Sequence, residues 1–476
     1  MKKILYAGAE VMPFAATGGL GDVLGSLPAA VREASDRNVD VRVVMPLYKC
    51  IKDLWREKMT DEGVIYVDLS WRHQYCGIKS LEKDGVTFYF IDNEYYFGRD
   101  KLYGYRDDGE RFAFFSKAIL DLMSAIEFYP DIFNANDWST ALSVVYLEKI
   151  YKKRKAYENI RSVFTIHNIE YQGRFGYEMI SDVIGLPDRD IFEHDGCVNL
   201  MKGAIECADK ISTVSPTYAI EILGERYSCG LHRCLAEHRH KLTGILNGID
   251  YDYYDPSRDP SLAVTYDQSS VELKAENKAA LQRELELPER DVPMLAVVSR
   301  LASHKGIELI KGMISEVLLE NSVQLVVLGT GEERYERFFR ELESAHPDKC
   351  RALITYDRDL AKRIYASSDI FLMPSESEPC GLSQMIASRY GAIPIVRETG
   401  GLRDSIKGFF EDESGELYGN GFTFADHSAE TLRHRVGAAI ALCNDRDKRI
   451  AFASRIMRTD FSWSVSARKY LQMYFA

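Results

Sequence analysis

Several features that would fix a protein's class at once are missing from this sequence. It has no Cys-x-x-Cys pair. Its nine cysteines (Cys50, Cys76, Cys197, Cys207, Cys229, Cys234, Cys350, Cys380 and Cys443) are odd in number and scattered. That excludes a disulfide-stapled scaffold and points to free thiols in a reducing cytoplasm. No apolar run nears the roughly 18 residues of a membrane span. Met1-Lys2-Lys3 followed by Ile4 to Ala9 imitates a secretion signal, but Glu10 ends the apolar run and no small-residue cleavage site follows, so the segment reads as a first strand. Positive charge is in the minority: 60 Lys and Arg stand against 72 Asp and Glu, a formal net charge of −12. This is the wrong sign for a phosphate backbone and excludes general nucleic-acid binding. With neither a Walker A nor a G-x-G-x-x-G fingerprint, ATP hydrolysis and nicotinamide chemistry lose support.

What is present is an ordinary globular composition over 476 residues, enough for two large domains or three of about 150 residues. Short β-branched and aromatic runs alternate with segments of helical period. The strand candidates in the first half are Ile4 to Glu10, Val39 to Met45, Val86 to Asp92, Ile132 to Asn136, Ser162 to His167 and Ile211 to Val214. Glu110 to Phe128 carries Phe112, Phe115, Ile119, Leu122 and Ile126 at spacings of three and four and reads as a helix. Near residues 243 to 255 the rhythm breaks into a turn-forming stretch of Asn-Gly, prolines and aspartates. A second series then runs through Met294 to Ser299, Gln324 to Gly329, Leu353 to Tyr356, Ile370 to Pro374 and Ile393 to Val396. The pattern predicts an α/β protein of two Rossmann-like lobes, each a parallel sheet with helices on both faces.

Thr17-Gly18-Gly19-Leu20-Gly21-Asp22 in the first lobe is echoed by Thr399-Gly400-Gly401-Leu402-Arg403-Asp404 in the second. Each copy follows a strand and opens a helix. Paired glycines let a backbone approach a ligand, and amides at a helix N-terminus suit an anion; two tight strand-to-helix turns would read the same way. Two copies in two lobes favour a phosphate or sugar ligand.

Ala16-Thr17-Gly18-Gly19-Leu20-Gly21-Asp22-Val23, Asp137-Trp138, Thr165-Ile166-His167-Asn168, Val214-Ser215-Pro216-Thr217-Tyr218, Leu246-Asn247-Gly248-Ile249-Asp250, Val298-Ser299-Arg300-Leu301 with Lys305-Gly306, Glu378-Pro379-Cys380-Gly381-Leu382 and Thr399-Gly400-Gly401-Leu402 resemble, in order and spacing, the bacterial glycogen synthase and plant starch synthase family. The likeness runs from residue 4 to Phe461-Ser462-Trp463. It implies the glycosyltransferase-B fold, two Rossmann-like domains facing a central cleft: residues 1–245 with a returning C-terminal helix at about 463–476, and residues 246–462. It also implies an ADP-glucose donor, an α-1,4-glucan acceptor and retention at the anomeric carbon.

Transfer from a sugar nucleotide develops positive charge at C1 and negative charge on the departing diphosphate, and an enzyme must stabilise both. By the resemblance, Arg300 and Lys305 supply cations to the diphosphate. The Glu378 carboxylate sits near the glucose, and the amides of Cys380, Gly381 and Leu382 face sugar hydroxyls and phosphate. Glu378 reads equally as an acid favoured at a helix N-terminus, and Cys380 as a packing residue. His167 and Asp137 lie near the reacting centre, and Trp138 is either core or acceptor-facing. Tyr356 is the candidate to stack on the nucleotide base; Gly18, Gly19, Thr399 and Gly400 line the donor, with Glu10, Asp22 and Asn247 close by. No protein nucleophile is implied. No His/Cys/Asp/Glu group has metal-ligand spacing and no Asp-x-Asp pair ends a strand, so a reaction without metal or other cofactor is expected.

Four positions depart from the family's usual residues. Ala16 replaces the usual lysine before Thr-Gly-Gly-Leu, a cation worth about 1–3 kcal/mol in charge-assisted bonding. Asn134, Asn136 and Ser139 replace histidines, although some starch synthases also have Ser at the last of these. Ile386 stands where many other glycosyltransferase-B enzymes carry a second Glu, which favours the glycogen and starch synthase branch. An active glucan synthase, a transferase with a changed donor or acceptor, and a weakly active glucan-binding paralogue all fit these residues.

Overall fold

The computed structural model describes all residues, Met1–Ala476. The chain divides into two compact units, Met1–Gly248 with Trp463–Ala476, and Ile249–Ser462.

The first unit is built on nine strands in one sheet. Seven are parallel: β1 (Lys2–Ala7), β2 (Val39–Pro46), β5 (Val86–Asp92), β6 (Ile132–Asn136), β7 (Arg161–Ile166), β11 (Lys210–Thr213) and β12 (Leu242–Gly244). Ile4, Leu5, Tyr6 and Ala7 of central β1 are fully buried, as an apolar run covered on both faces must be. A long ribbon, β3 (Thr60–Leu69) and β4 (Arg72–Lys83), pairs antiparallel on the β5 edge. The sheet is therefore mixed, which corrects the all-parallel expectation. Outside it lies a small antiparallel sheet of β8 (Arg174–Phe175), β9 (Glu193–His194) and β10 (Cys197–Asn199).

The C-terminal helix Trp463–Phe475 packs in this unit. Its last carbonyls carry the negative end of the helix dipole and meet two cations: Arg161 donates to the Tyr474 carbonyl at 2.6 Å and Lys210 donates to that of Met473. The Tyr474 hydroxyl lies 3.1 Å from that of Tyr6.

The second unit holds six parallel strands in the order β15-β14-β13-β16-β17-β20: β13 (Met294–Val298), β14 (Gln324–Leu328), β15 (Cys350–Leu353), β16 (Ile370–Met373), β17 (Ile393–Arg397) and β20 (Phe422–Phe424), with a two-stranded ribbon of β18 (Phe410–Glu411) and β19 (Leu417–Tyr418). Under its sheet the Lys278 ammonium and Asp369 carboxylate form a buried ion pair.

Most expected strand and helix ends shift by one to three residues, and three of these shifts bear on candidate site residues. β1 stops at Ala7, so Glu10 lies in the loop beyond it, and β7 stops at Ile166, which leaves His167 just past the strand. The expected strand Leu353 to Tyr356 lies three residues too late. β15 ends at the Leu353↔Leu328 pair because its partner β14 ends there, and the β-branched residues that follow have no neighbour to bond.

Candidate active site

In the first unit the strand order reverses at β1, with β2 on one side and β6 on the other. Ligands of open α/β sheets bind beyond the C-terminal strand ends at such a point. The loop after β1 carries Glu10, 5% exposed, whose carboxylate holds the glycine loop. It accepts from the Thr17 N–H at 2.5 Å, the Thr17 hydroxyl at 2.8 Å and the Gly18 N–H at 3.0 Å. A Cβ at Gly18 or Gly19 would meet nothing within 4 Å, and the Gly18 φ of −163° is extended backbone open to any residue. Nothing in the chain demands glycine there, and the bare backbone faces open space at the start of helix Gly19–Ala34. Asp22 sits in that helix's first turn.

β6 delivers Asp137 and β7 delivers His167. Asp137 adopts a φ of +57°, rare for a non-glycine residue and worth about 1–3 kcal/mol of strain of the kind that collects at functional sites. Its carboxylate accepts from the backbone N–H of His167 at 2.8 Å and from that of Asn168. Burial outweighs those bonds and, helped by the charge of Glu10, pushes its pKa up to about 7. Burial pushes the His167 pKa down to about 3, so this ring is neutral at working pH. His167 Nε2 lies 2.8 Å from Asn136 Oδ1. The Asn136 amide nitrogen is committed to the Ala7 carbonyl and to Asn134; Nε2 therefore carries the hydrogen and Nδ1 the lone pair. The two groups oppose one another in stability. His167 adds stability as pH rises from about 3 to 6.5, where only the unfolded chain binds its proton, and Asp137 removes it as pH rises from 3.8 to about 7.

Asn134 and Asn136, which stand in place of the family's histidines, are 1% and 2% exposed. They form a buried amide network with Thr165 and Ser212 beneath His167. Trp138 packs edge-on against Phe112 at 5.0 Å and beside Tyr103 and Phe175; it belongs to an aromatic cluster. Asn247 is buried, and its Oδ1 meets no donor of the chain.

In the second unit the order reverses at β13, between β14 and β16. Arg300 follows β13 and is exposed. Lys305 sits in the turn Ser303–Lys305, and a Cβ on Gly306 would lie 2.0 Å from the Pro374 carbonyl. That close approach brings Lys305 against the segment after β16. There its Nζ bonds Glu378 Oε2 at 2.6 Å, and the Ser375 hydroxyl donates to the same oxygen at 3.0 Å. The two residues, assigned separately in sequence, form one largely buried ion pair with side-chain exposures of 18% and 9%. Glu378 precedes helix Ser383–Arg389 by five residues and is not one of its first-turn acids.

Gln384, which sequence reasoning did not single out, shapes the turn between them. Its Nε2 donates to the carbonyls of Cys380 (3.2 Å) and Gly381 (2.9 Å) and to the Ser405 hydroxyl (3.0 Å). Because a trans peptide points its N–H opposite to its C=O, pinning those carbonyls inward turns the Gly381 and Leu382 N–H groups the other way. Cys380 is buried and serves packing. Ile386 is buried in the helix behind.

The second glycine pair differs physically from the first. Gly400 has a φ of +41°, and its Cβ would fall 2.0 Å from the Glu378 carbonyl; that of Gly401 would fall 2.1 Å from the Cys380 carbonyl. Here glycine is required so that two backbones can touch, with buried Thr399 at the N-cap of helix Gly400–Ser405. Tyr356 is 81% exposed beyond the end of edge strand β15, away from the strands at the switch point.

No linear spacing suggested a metal-ligating group; the fold brings Glu206, Cys234 and His238 together, with one potential ligand atom from each within 4.8 Å of the others. Glu206 comes from another helix, and no linear spacing reveals it.

Two α/β units, one on a mixed and one on a parallel sheet, each with polar residues gathered beyond the strand ends at a switch point, define a glycosyltransferase of the two-domain B class. Residues 3–237 match the family model described as starch synthase catalytic domain, and residues 278–455 match that of glycosyl transferases group 1. Glycogen synthase of Clostridium novyi is 47% identical, with 99% of this chain and 98% of that protein covered. Glycogen synthase of Bacillus licheniformis is 44% identical over 99% and 97%. The catalytic domain of starch synthase IV from Arabidopsis thaliana, solved bound to ADP and acarbose, superposes with a TM-score of 0.89 at 33% identity, covering 99% of this chain and 98% of that one. The chain belongs to the glycogen synthase and starch synthase family.

Proposed function

We propose that this protein transfers glucose from ADP-glucose to the non-reducing end of an α-1,4-glucan with retention of configuration. The carrying observation is the Lys305–Glu378 pair beside the Gly381–Leu382 turn. It joins a cation suited to a leaving diphosphate to a carboxylate suited to a sugar whose C1 becomes positive. Arg300 adds a second cation, and no metal or other cofactor is assigned to the step. Neutral His167 serves as a hydrogen-bonding group, and Asp137 as the carboxylate of the acceptor-side unit. ADP as the nucleotide is supported by the ADP bound in the starch synthase relative. No helix is long and apolar enough to cross a membrane, and the scattered free cysteines support a cytoplasmic setting.

The test is labelled glucose transfer onto glycogen from ADP-glucose and UDP-glucose in parallel, with EDTA present. Turnover with ADP-glucose, unaffected by EDTA, is expected; no transfer from either donor with glucan binding intact would instead favour a glucan-binding paralogue.

Two variants probe the residues. Wild-type kcat/KM should fall as pH drops through about 7, because protonation removes the Asp137 charge. Asp137→Asn should be slow and lose that inflection, and an unchanged pH profile would assign the titration elsewhere. Ala16 is exposed, so Ala16→Lys is accommodated without disturbing the core. It should tighten substrate binding or raise turnover by roughly tenfold, the value of one charge-assisted bond of about 1.4 kcal/mol. Equal rates would mean that the missing cation is compensated.

A further inference from the structure

Helix Leu200–Cys207 and helix His232–Glu237 with its C-cap residue His238 carry a group of side chains in the first unit that the transfer reaction does not use. Cys234 and His238 are four residues apart, a spacing that places both on one helix face, and Glu206 reaches them from the other helix. His238 Nε2 lies 3.4 Å from Glu206 Oε2, and Cys234 Sγ lies 3.8 Å from Glu206 Oε1. The other imidazole nitrogen, Nδ1, lies 2.9 Å from the Cys234 carbonyl oxygen. A carbonyl only accepts, so Nδ1 carries the hydrogen, which aims Nε2 at the carboxylate. Either a proton on Nε2 or a metal ion can join that nitrogen to the carboxylate, and Cys234 Sγ at the same carboxylate supplies the third ligand atom that a metal ion would use and a proton would not. A backbone carbonyl orienting the ring through its second nitrogen is also the usual support of a metal-binding histidine.

The surroundings fit a metal ion. Glu206 and His238 keep side-chain exposures of 29% and 16%, which gives a path in from solvent and room for a water ligand. Lys202 lies 3.3 Å from Glu206 Oε1 but also donates to the carbonyls of Asp190 and Ile191, and Lys241 is held by the Ala208 carbonyl. Both ammonium groups therefore have anchors that do not depend on the carboxylate. Burial pushes the Cys234 thiol up to about 12, so a metal must displace its proton to solvent as the metal–sulfur bond forms.

We propose that Glu206, Cys234 and His238 form a site for a borderline-soft divalent cation, Zn²⁺ above all, with water as fourth ligand, clamping the two helices together. One sulfur, one nitrogen and one oxygen suit Zn²⁺ in a tetrahedron, whereas Mg²⁺ and Ca²⁺ take all-oxygen shells.

Cobalt titration of the metal-stripped full-length protein tests this. One equivalent of Co²⁺ should produce a thiolate-to-metal charge-transfer band that Zn²⁺ abolishes by competition. Cys234→Ser should lose the band and Cys207→Ser should keep it. His238→Ala should weaken Zn²⁺ by more than the roughly 10- to 100-fold that loss of a mere orienting partner costs. The wild-type melting temperature should rise with Zn²⁺, and glucosyl transfer should be the same in Cys234→Ser as in the wild type. Absence of the band in the wild type, or its survival in Cys234→Ser, would overturn the site. Should Cys234→Ser fold poorly, wild-type stoichiometry and the His238→Ala affinity decide the matter.

Discussion

Glu378→Gln is expected to lower glucosyl transfer by roughly 10²–10³-fold, the loss typical of one preorganised electrostatic group at a reacting centre. Glutamine has the same shape, can still accept from the Ser375 hydroxyl and from Lys305 Nζ, and removes only the charge. Alanine would be a poorer probe. Deleting one member of a largely buried ion pair costs about 3–5 kcal/mol, and Lys305 with 18% exposure would recover only part of that from water. The melting temperature of Glu378→Gln should therefore move by only a few degrees, at about 2–4 °C per kcal/mol for a domain of this size. Steady-state kinetics beside a thermal melt separate the two effects. Turnover within tenfold of wild type would make Glu378 a structural acid that orders Lys305.

Gly400→Ala should be among the most damaging single methyl groups in the second unit. Its Cβ would fall 2.0 Å from the Glu378 carbonyl, at a φ of +41° that side chains avoid. The object struck is backbone, which cannot rotate aside, so the cost should reach about 3 kcal/mol or more, a fall of roughly 10 °C in melting temperature. Because the displaced peptide is that of Glu378, activity should fall with it. Gly18→Ala is the control: with nothing within 4 Å of its Cβ, the fold should melt as the wild type while KM rises. Equal melts for the two variants would refute the distinction between a ligand-facing and a packing glycine pair.

That distinction shows where reading the residues in order stops. Thr17-Gly18-Gly19-Leu20 and Thr399-Gly400-Gly401-Leu402 look alike as strings. One pair has open space where a side chain would stand, and in the other a neighbouring peptide already occupies that space. The same limit appears at Tyr356, where a β-branched run suggested a strand that its partner is too short to pair. It appears again in the β3–β4 ribbon, whose outer strand carries the run Val64-Ile65-Tyr66-Val67 yet lies mostly exposed on a sheet edge.

By itself the sequence determined what depends on local order: alternating strands and helices, the division into two lobes, and the residue types at strand ends that resemble the glycogen and starch synthases, a resemblance that in turn implied the returning helix. The Lys305–Glu378 pair, the Gln384 clasp, the high pKa of Asp137, the neutral His167 and the Glu206–Cys234–His238 group were decided only by the tertiary structure. Each depends on the distance between residues far apart in the chain, or on removing a charge from water, and neither quantity exists until the sheets have formed.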